Sequence, residues 1–312
     1  MLDNALSRTL QRGEAWRGMV ELEHLAAFDC LQWLRTGERA AGVLGISQST
    51  VSRATRRCEQ IFGIQLVKRE AEWQVQGDDT LLHAERRVHQ LYRWSYGRPL
   101  RLDAQHWLRP SYGDLPLQGW LKGNLNYLEY TRPLQLMRDR VIDAWLCSSP
   151  DHPQDADLSC MPLCEMPTWL LVRNSHPLLQ RAEPLTIEVA RQYPVLPLPQ
   201  GAFPVFQAQL DGLGFHSDFS RLKAIAEQHG YDPNASEDLA LAIASPLTVH
   251  LYGDGWSVLP LDLNIRKGDT LIVHRDLADH PRTTGLIRAL TDHLHTIAAG
   301  RNDVRVLATV PQ

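Results

Sequence analysis

The run Ser47-Gln48-Ser49-Thr50-Val51-Ser52-Arg53 gathers short hydrogen-bonding side chains and one guanidinium within seven residues. A glutamine amide pairs with the edge of adenine, and an arginine fork pairs with the edge of guanine in a major groove. Arg56 and Arg57 follow one turn later, where backbone phosphates are expected. Arg39 lies just upstream, and Lys68 and Arg69 lie just downstream. The candidate nucleic-acid set is therefore Arg39, Ser47, Gln48, Ser49, Thr50, Ser52, Arg53, Arg56, Arg57, Lys68 and Arg69. Any one of these alone reads equally well as an ordinary surface residue. The ordered set is harder to explain that way.

That chemistry requires a rigid element to present it. Leu22, Leu25, Ala26 and Phe28 recur at helical spacing, which predicts a first helix from about Glu21 to Leu34. Thr36 stands at an N-cap, and Ala40, Ala41 and Leu44 form the apolar side of a short second helix. Gly45 breaks it, since glycine suits the left-handed backbone of a tight turn. Ser47 caps a third helix with Val51, Ala54, Cys58 and Ile61 on one stripe, and Gly63 ends it. Two helices around a short glycine turn make a helix-turn-helix. The segment IQLVKREAEWQVQG then reads as two short strands, a wing carrying Lys68 and Arg69.

The charge distribution agrees. The chain has 312 residues and a net charge of −4. Residues 35–69 hold seven basic side chains against two acidic ones, a local +5. Such a block suits a polyanion, because neutralised phosphates release counterions. An apolar share of 44% with 22% charged residues excludes wholesale disorder and a uniformly basic coat protein. The length suggests two domains. No apolar stretch reaches the roughly 18 residues that a membrane-spanning helix needs. The N-terminus is charged throughout and does not resemble a secretory signal. Five cysteines without such a signal read as reduced, mostly buried thiols of the cytoplasm, and the Cys160/Cys164 spacing fits neither a redox pair nor a zinc knuckle.

Enzymatic signatures are missing from the sequence. Gly253-Asp254-Gly255 is too short for a dinucleotide fingerprint, and neither a phosphate loop nor a nucleophile elbow occurs. His293 and His295 would point apart on a helix, so a shared metal is not expected. His83 and His89 read as surface imidazoles of a later helix. No catalytic residue, metal or cofactor is expected.

The run AAGVLGISQSTVSRATRRCEQIFGIQLVKR resembles the N-terminal winged helix-turn-helix of LysR-type transcriptional regulators. Ala40-Ala41, Leu44, Ser47-Gln48, Val51-Ser52-Arg53, Glu59, Gly63, Leu66 and Arg69 carry the resemblance. Gly37 replaces a packing aromatic, Thr50 a small apolar residue, Cys58 a leucine and Val67 a phenylalanine. The resemblance implies a fold class: an N-terminal all-α winged helix-turn-helix with linker helix, then a C-terminal α/β two-lobed periplasmic-binding-protein-like (type II) domain. Residues 1–18 lie outside it and read as a disordered extension or a misplaced start. The expected divisions are 19–78 for the DNA-binding domain, 79–98 for the linker and dimerisation helix, and 99–305 for the effector-binding domain. Lobe I would be 99–162 and 266–300, and lobe II 163–265. Leu81, Leu82, Val88, Leu91 and Tyr92 would form the sticky side of the linker helix.

From Pro99 onward strand-like and helix-like pieces alternate, which predicts an α/β domain with a largely parallel sheet. LRLDAQHWL reads as its first strand and PVLPLP as a short buried strand. Asp143, His176-Pro177, Asp238-Leu239 at a helix start and YGDGWSVLP extend the resemblance. The architecture it implies places a ligand between the lobes. The candidate lining is Ser111, Tyr112, Thr131, Cys147, Ser148, Pro199, Gln200, Gly201, Phe203, Ser245 and Thr248. Hydroxyls at helix starts, with free N–H groups, suit a small carboxylate or another anion.

The resulting expectation is a cytoplasmic, sequence-specific regulator that binds a promoter inverted repeat in double-stranded DNA. It would respond to a small-molecule effector and act as a homodimer or homotetramer, with RNA polymerase a further candidate partner and no membrane contact. The alternative is a ligand-binding protein or enzyme on a two-lobed scaffold without regulatory DNA binding.

Overall fold

The computed structural model describes residues 20–218 and 236–307, so the expected extension 1–18 lies outside the described residues. The chain forms two compact units. The first comprises the chain up to Arg101 with Gly119–Gly123 and Leu136–Asp143; the second takes Leu102–Gln118, Asn124–Gln135 and the chain from Ala144.

The first unit opens with α1 (Leu22–Leu34), α2 (Gly37–Leu44) and α3 (Gln48–Phe62). Local chemistry fixes each boundary. The Thr36 hydroxyl accepts from the Arg39 N–H at 3.3 Å and caps α2. Gly45 and Gly63 both close their helices at φ +66, where a side chain would be strained. The C-terminal half of α1 is buried on every side, from Ala27 to Leu34, so α1 is the central post of the bundle. Leu22 and Ala26 of the expected stripe are only half-buried. Val51, Ala54 and Cys58 of α3 pack inward as expected, joined by Phe62, while Ile61 is half-buried. The wing is an antiparallel pair, β1 (Gln65–Arg69) and β2 (Glu72–Gln76). The Trp73 indole N–H donates to the Arg35 carbonyl at 2.9 Å and ties this hairpin to the end of α1.

α4 (Thr80–Ser95) has two faces. Leu82, Glu85, Arg86, His89, Gln90 and Trp94 are buried within the unit. Leu81, Val88 and Leu91, at 51%, 43% and 41% exposure, are spaced by seven and three residues and share the outward face. Leu82 thus leaves the expected sticky side, because it lies about 100° around the helix from Leu81.

The second unit contains two sheets. β3 (Leu100–Ala104) enters it, followed by the short helix α5 (Arg109–Tyr112). The chain passes back through the first unit in β4 (Trp120–Lys122) and at the end of α6 (Thr131–Arg138), then continues with β5 (Ala144–Ser149), β6 (Leu158–Pro162) and β7 (Cys164–Pro167). β8 (Trp169–Arg173), α7 (Ile187–Ala190), α8 (Pro204–Gly212), β9 (Ala242–Ala244) and β10 (Trp256–Val258) precede the long β11 (Arg266–His274), α9 (Pro281–Ile297) and β12 (Arg305–Val306). One sheet runs β12-β7-β11-β5-β3 with β6 also on β11, and the other runs β10-β8-β9.

Four expectations change. The sheets are not largely parallel: β3 pairs parallel with β5, whereas β11 pairs antiparallel with β5, β6 and β7. β11 returns from the second lobe against the direction of the outgoing strands, which periodicity does not reveal. The first sheet also extends past residue 163, since Arg266 and Lys267 pair with Pro167 and Met166 of β7. Thr168, between β7 and β8, donates its N–H to the Ile265 carbonyl at 3.1 Å. PVLPLP makes only an isolated bridge, Val195 to Leu241, because its three prolines supply no ladder donors. Asp238-Leu239 closes a 3-10 turn instead of opening a helix.

The five cysteines are free. Burial keeps their thiols protonated and pushes Cys58 up to about 12. Among the described residues, no helix is long and apolar enough to cross a membrane, and no group of three or more His, Cys, Asp or Glu could hold a metal ion.

Candidate DNA-reading helix and effector cavity

The first turns of α3 are held by a hydroxyl network. Ser47 Oγ accepts from the Thr50 N–H at 3.2 Å and lies 2.9 Å from both Ser49 Oγ and Thr50 Oγ1. Arg53 Nη2 donates to Thr50 Oγ1 at 3.2 Å, which sets the direction of the guanidinium. Ser47 and half-buried Thr50 are thus engaged by their own helix. Gln48, Ser49, Ser52, Arg53, Arg56 and Arg57 are exposed along α3, opposite its packed stripe. Arg39 is exposed at the start of α2, and Lys68 and Arg69 are exposed on the wing. Gly37 leaves room for the Gln48 side chain, which would sit 3.1 Å from any Cβ there.

The second unit encloses a cavity of about 470 Å³, lined from both of its sheets and their loops. Ser148, Pro199, Phe203, Ser245 and Thr248 of the expected lining border it. The other six do not, each for a structural reason. Cys147 precedes Ser148 on β5 and faces the opposite side, where it is fully buried. The predicted first strand stops at Ala104, so His106 and Trp107 occupy the loop expected for Ser111 and Tyr112. Ser111 offers its carbonyl to His293 Nε2 at 2.6 Å. Tyr112 stands behind the wall and donates its hydroxyl to Asp269 Oδ2 at 2.7 Å. Exposed Thr131 donates to Glu129 at 2.7 Å. Gln200 and Gly201 sit on an exposed turn, with Gly201 at φ +71.

The sequence reading missed Trp107, Asp151, Phe206, Tyr252, Lys267 and Asp269 on this wall. Gly268 also lines it and is a forced glycine: a Cβ there would lie 1.9 Å from the Cys164 carbonyl oxygen. The GDT triplet at Gly268 was the one local hint of such a close strand approach. Burial pushes the Asp269 carboxyl up to about 6, although the Tyr112 hydroxyl, Lys267 and Cys164 all oppose this. Burial pulls Lys267 down to about 8 against the attraction of Asp269. Asp151 is also raised by burial, opposed by the Val205 and Phe206 N–H donors.

The family model described as "Bacterial regulatory helix-turn-helix protein, lysR family" matches residues 22–76. The model described as "LysR substrate binding domain" matches residues 124–295, more than half the chain. No curated protein matches significantly. A full-length OxyR variant from Pseudomonas aeruginosa is similar over 89% of this chain and 96% of its own, with a TM-score of 0.53 and 18% identity. A probable transcriptional regulator from the same organism is similar over 88% of this chain and 97% of its own, with a TM-score of 0.53 and 16% identity. At such identities the two structures speak for the fold alone. The two family models together account for both the reading helix and the cavity domain: the chain belongs to the LysR family of bacterial helix-turn-helix transcriptional regulators, with a DNA-binding and an effector-binding part.

Proposed function

We propose that Gln48, Ser49, Ser52 and Arg53 meet base edges in the major groove, while Arg39, Arg56, Arg57, Lys68 and Arg69 meet phosphates. The carrying observation is the sidedness of α3. Its packed stripe leaves six of its seven polar and basic candidates beyond the cap on the exposed face, Thr50 being half-buried. Ser47 and Thr50 act by holding the helix start. The working divisions are 19–78 for DNA reading, 79–98 for the linker and 99–305 for effector sensing. The reaction class is binding rather than catalysis, and the location is the cytoplasm, where the DNA partner lies.

Arg53→Ala is expected to weaken binding to the protein's own upstream region by about 1–3 kcal/mol per reading helix and to relax sequence preference. Arg57→Ala is expected to weaken all sequences alike and to lower the salt slope by roughly one unit. Titration of both variants against specific and bulk DNA across salt checks this. Equal binding of wild type to both DNAs at every salt would overturn the reading.

The outward face of α4 supports pairing with a second copy, which sets two reading helices at half-sites spaced by multiples of roughly one helical turn. Leu91→Asp is expected to weaken self-association by about 2 kcal/mol or more, roughly 30-fold. Sedimentation measures this directly, and an unchanged oligomer would remove α4 from the interface.

A further inference from the structure

The cavity of the second unit is walled mainly by apolar side chains, among them Trp107, Met166, Leu198, Phe203, Phe206 and Ile243. The Trp107 and Phe203 rings lie 5.1 Å apart, and Phe203 meets Phe206 edge-on at 6.4 Å. These three rings form a continuous aromatic surface. The volume of about 470 Å³ is within the usual range of small-molecule sites.

The backbone N–H groups best placed to hold an anion are already engaged. The start of α8 is the natural anion position, because its leading N–H groups have no helical partner. Asp151, only 1% exposed, fills it. Its Oδ1 accepts from the Val205 N–H at 2.6 Å, and its Oδ2 accepts from the Phe206 N–H at 3.3 Å. The Ser245 N–H donates to Thr248 Oγ1 at 2.9 Å, and the two hydroxyls pair at 3.0 Å. The Ser148 N–H donates to Gln105 Oε1 at 2.8 Å. The expectation of a small carboxylate therefore meets a site whose donors are spent.

The wall carries one cation, Lys267, against two carboxylates, Asp151 and Asp269. Lys267 attracts Asp269 and stands over the Phe206 ring at 6.0 Å. Asp269 takes the Tyr112 hydroxyl. An entering carboxylate would face Asp151 with no unspent N–H at the helix start. An entering ammonium would face Lys267 and two carboxylates that already have donors. The indole N–H of Trp107 is buried in the wall and has no acceptor among the described residues.

We infer that this cavity takes an uncharged, largely apolar, ring-sized molecule bearing a carbonyl or hydroxyl acceptor, and that Asp151 excludes anions by occupying the start of α8. The inference rests on the cavity being the effector site. Asp151 is a positioning residue: it acts through α8 and the field at its N-terminus.

The test uses the full-length protein labelled with 5-fluorotryptophan, the Trp107 resonance being assigned by its loss in Trp107→Phe. Three probes of one shape differ in charge: 2-phenylacetamide, phenylacetate and 2-phenylethylamine. The amide is expected to shift the Trp107 resonance with a dissociation constant about tenfold or more below those of the two ions. Asp151→Ser frees the Val205 and Phe206 donors and is expected to tighten phenylacetate by about tenfold, with a smaller change for the amide. Asp151→Asn keeps an acceptor for α8 while losing the charge, so a smaller gain in the same direction is expected if the serine variant folds poorly. Phenylacetate binding the wild type as tightly as the amide, with the Trp107 resonance shifted, would overturn the inference and leave the cavity as a binding site. A Trp107 resonance unmoved by all three probes would overturn both.

Discussion

Asp29→Ala is expected to lower the unfolding free energy of the first unit by about 3–5 kcal/mol, the usual cost of removing one partner from a buried ion pair. Asp29 lies on α1 at 1% exposure. Its Oδ1 accepts from Arg86 Nε at 2.8 Å, and its Oδ2 accepts from Arg101 Nη1 at 3.1 Å. Both guanidiniums are as buried as their partner. Arg86 keeps a bond to Gln32 and a longer, 4.0 Å contact with the Asp139 carboxylate, and Arg101 keeps a bond to the uncharged Val141 carbonyl at 2.8 Å. Two buried cations would therefore lose the anion that they both hydrogen-bond. Nearby Asp143 accepts from Gln90 Nε2, Arg93 Nη2, Trp94 Nε1 and the Arg101 N–H, at 2.9–3.1 Å. Burial pushes Asp143 up, yet Arg93 and Arg101 outweigh this and hold it below the ordinary carboxylate range. The network ties α1 of the helix-turn-helix to α4, to Arg101 of β3 and to Asp143 just ahead of β5. Urea unfolding followed by tryptophan fluorescence checks the prediction, since Trp33 and Trp94 are buried in this unit. A loss below about 1 kcal/mol would mean that water reaches the guanidiniums and the pair carries little stability.

Asp269→Asn is expected to gain stability relative to wild type as pH rises from 4 to 6.5, by an amount on the order of 3 kcal/mol. The ordinary carboxyl value is 3.8, and burial raises it to about 6 in the folded chain. Between those values the folded state holds a proton that the unfolded state has released. The group's stabilisation is therefore complete below pH 3.8 and lost as pH climbs through about 6. Asparagine keeps the shape and never ionises, so it escapes that loss. Chemical denaturation of both proteins at half-unit pH steps measures the difference. A difference that stays flat across the window would place Asp269 in a wetter setting than its 4% exposure implies.

Both predictions concern residues that the sequence did not single out, and the reason is physical. The helix-turn-helix was legible because its determinants are local. Thr36 and Ser47 cap helices through bonds three residues away. Gly45 and Gly63 mark left-handed turns that few other residues adopt. The exposed set on α3 follows from helical geometry once those ends are known. The wing and the end of α4 before Pro99 were legible on the same grounds.

The cavity was legible only in part. Ser148, Phe203, Ser245 and Thr248 could be placed from their positions at element ends. Cys147 could not be separated from Ser148 without the phase of β5, and Trp107 was hidden in a strand that stops three residues before it. Asp151 meets the α8 donors 54 and 55 residues later, and Tyr112 meets Asp269 157 residues later. No spacing rule reaches such separations.

The sequence by itself therefore determined a reader of DNA: its caps, its turns and its basic face all rest on interactions within a few residues. Only the tertiary structure decided the sensor. Folding brought Asp151 to the start of α8 and set Lys267 beside Asp269 on an otherwise apolar wall. The type of ligand a cavity accepts depends on which donors and charges remain unspent after distant segments meet, and that balance exists only in the folded chain.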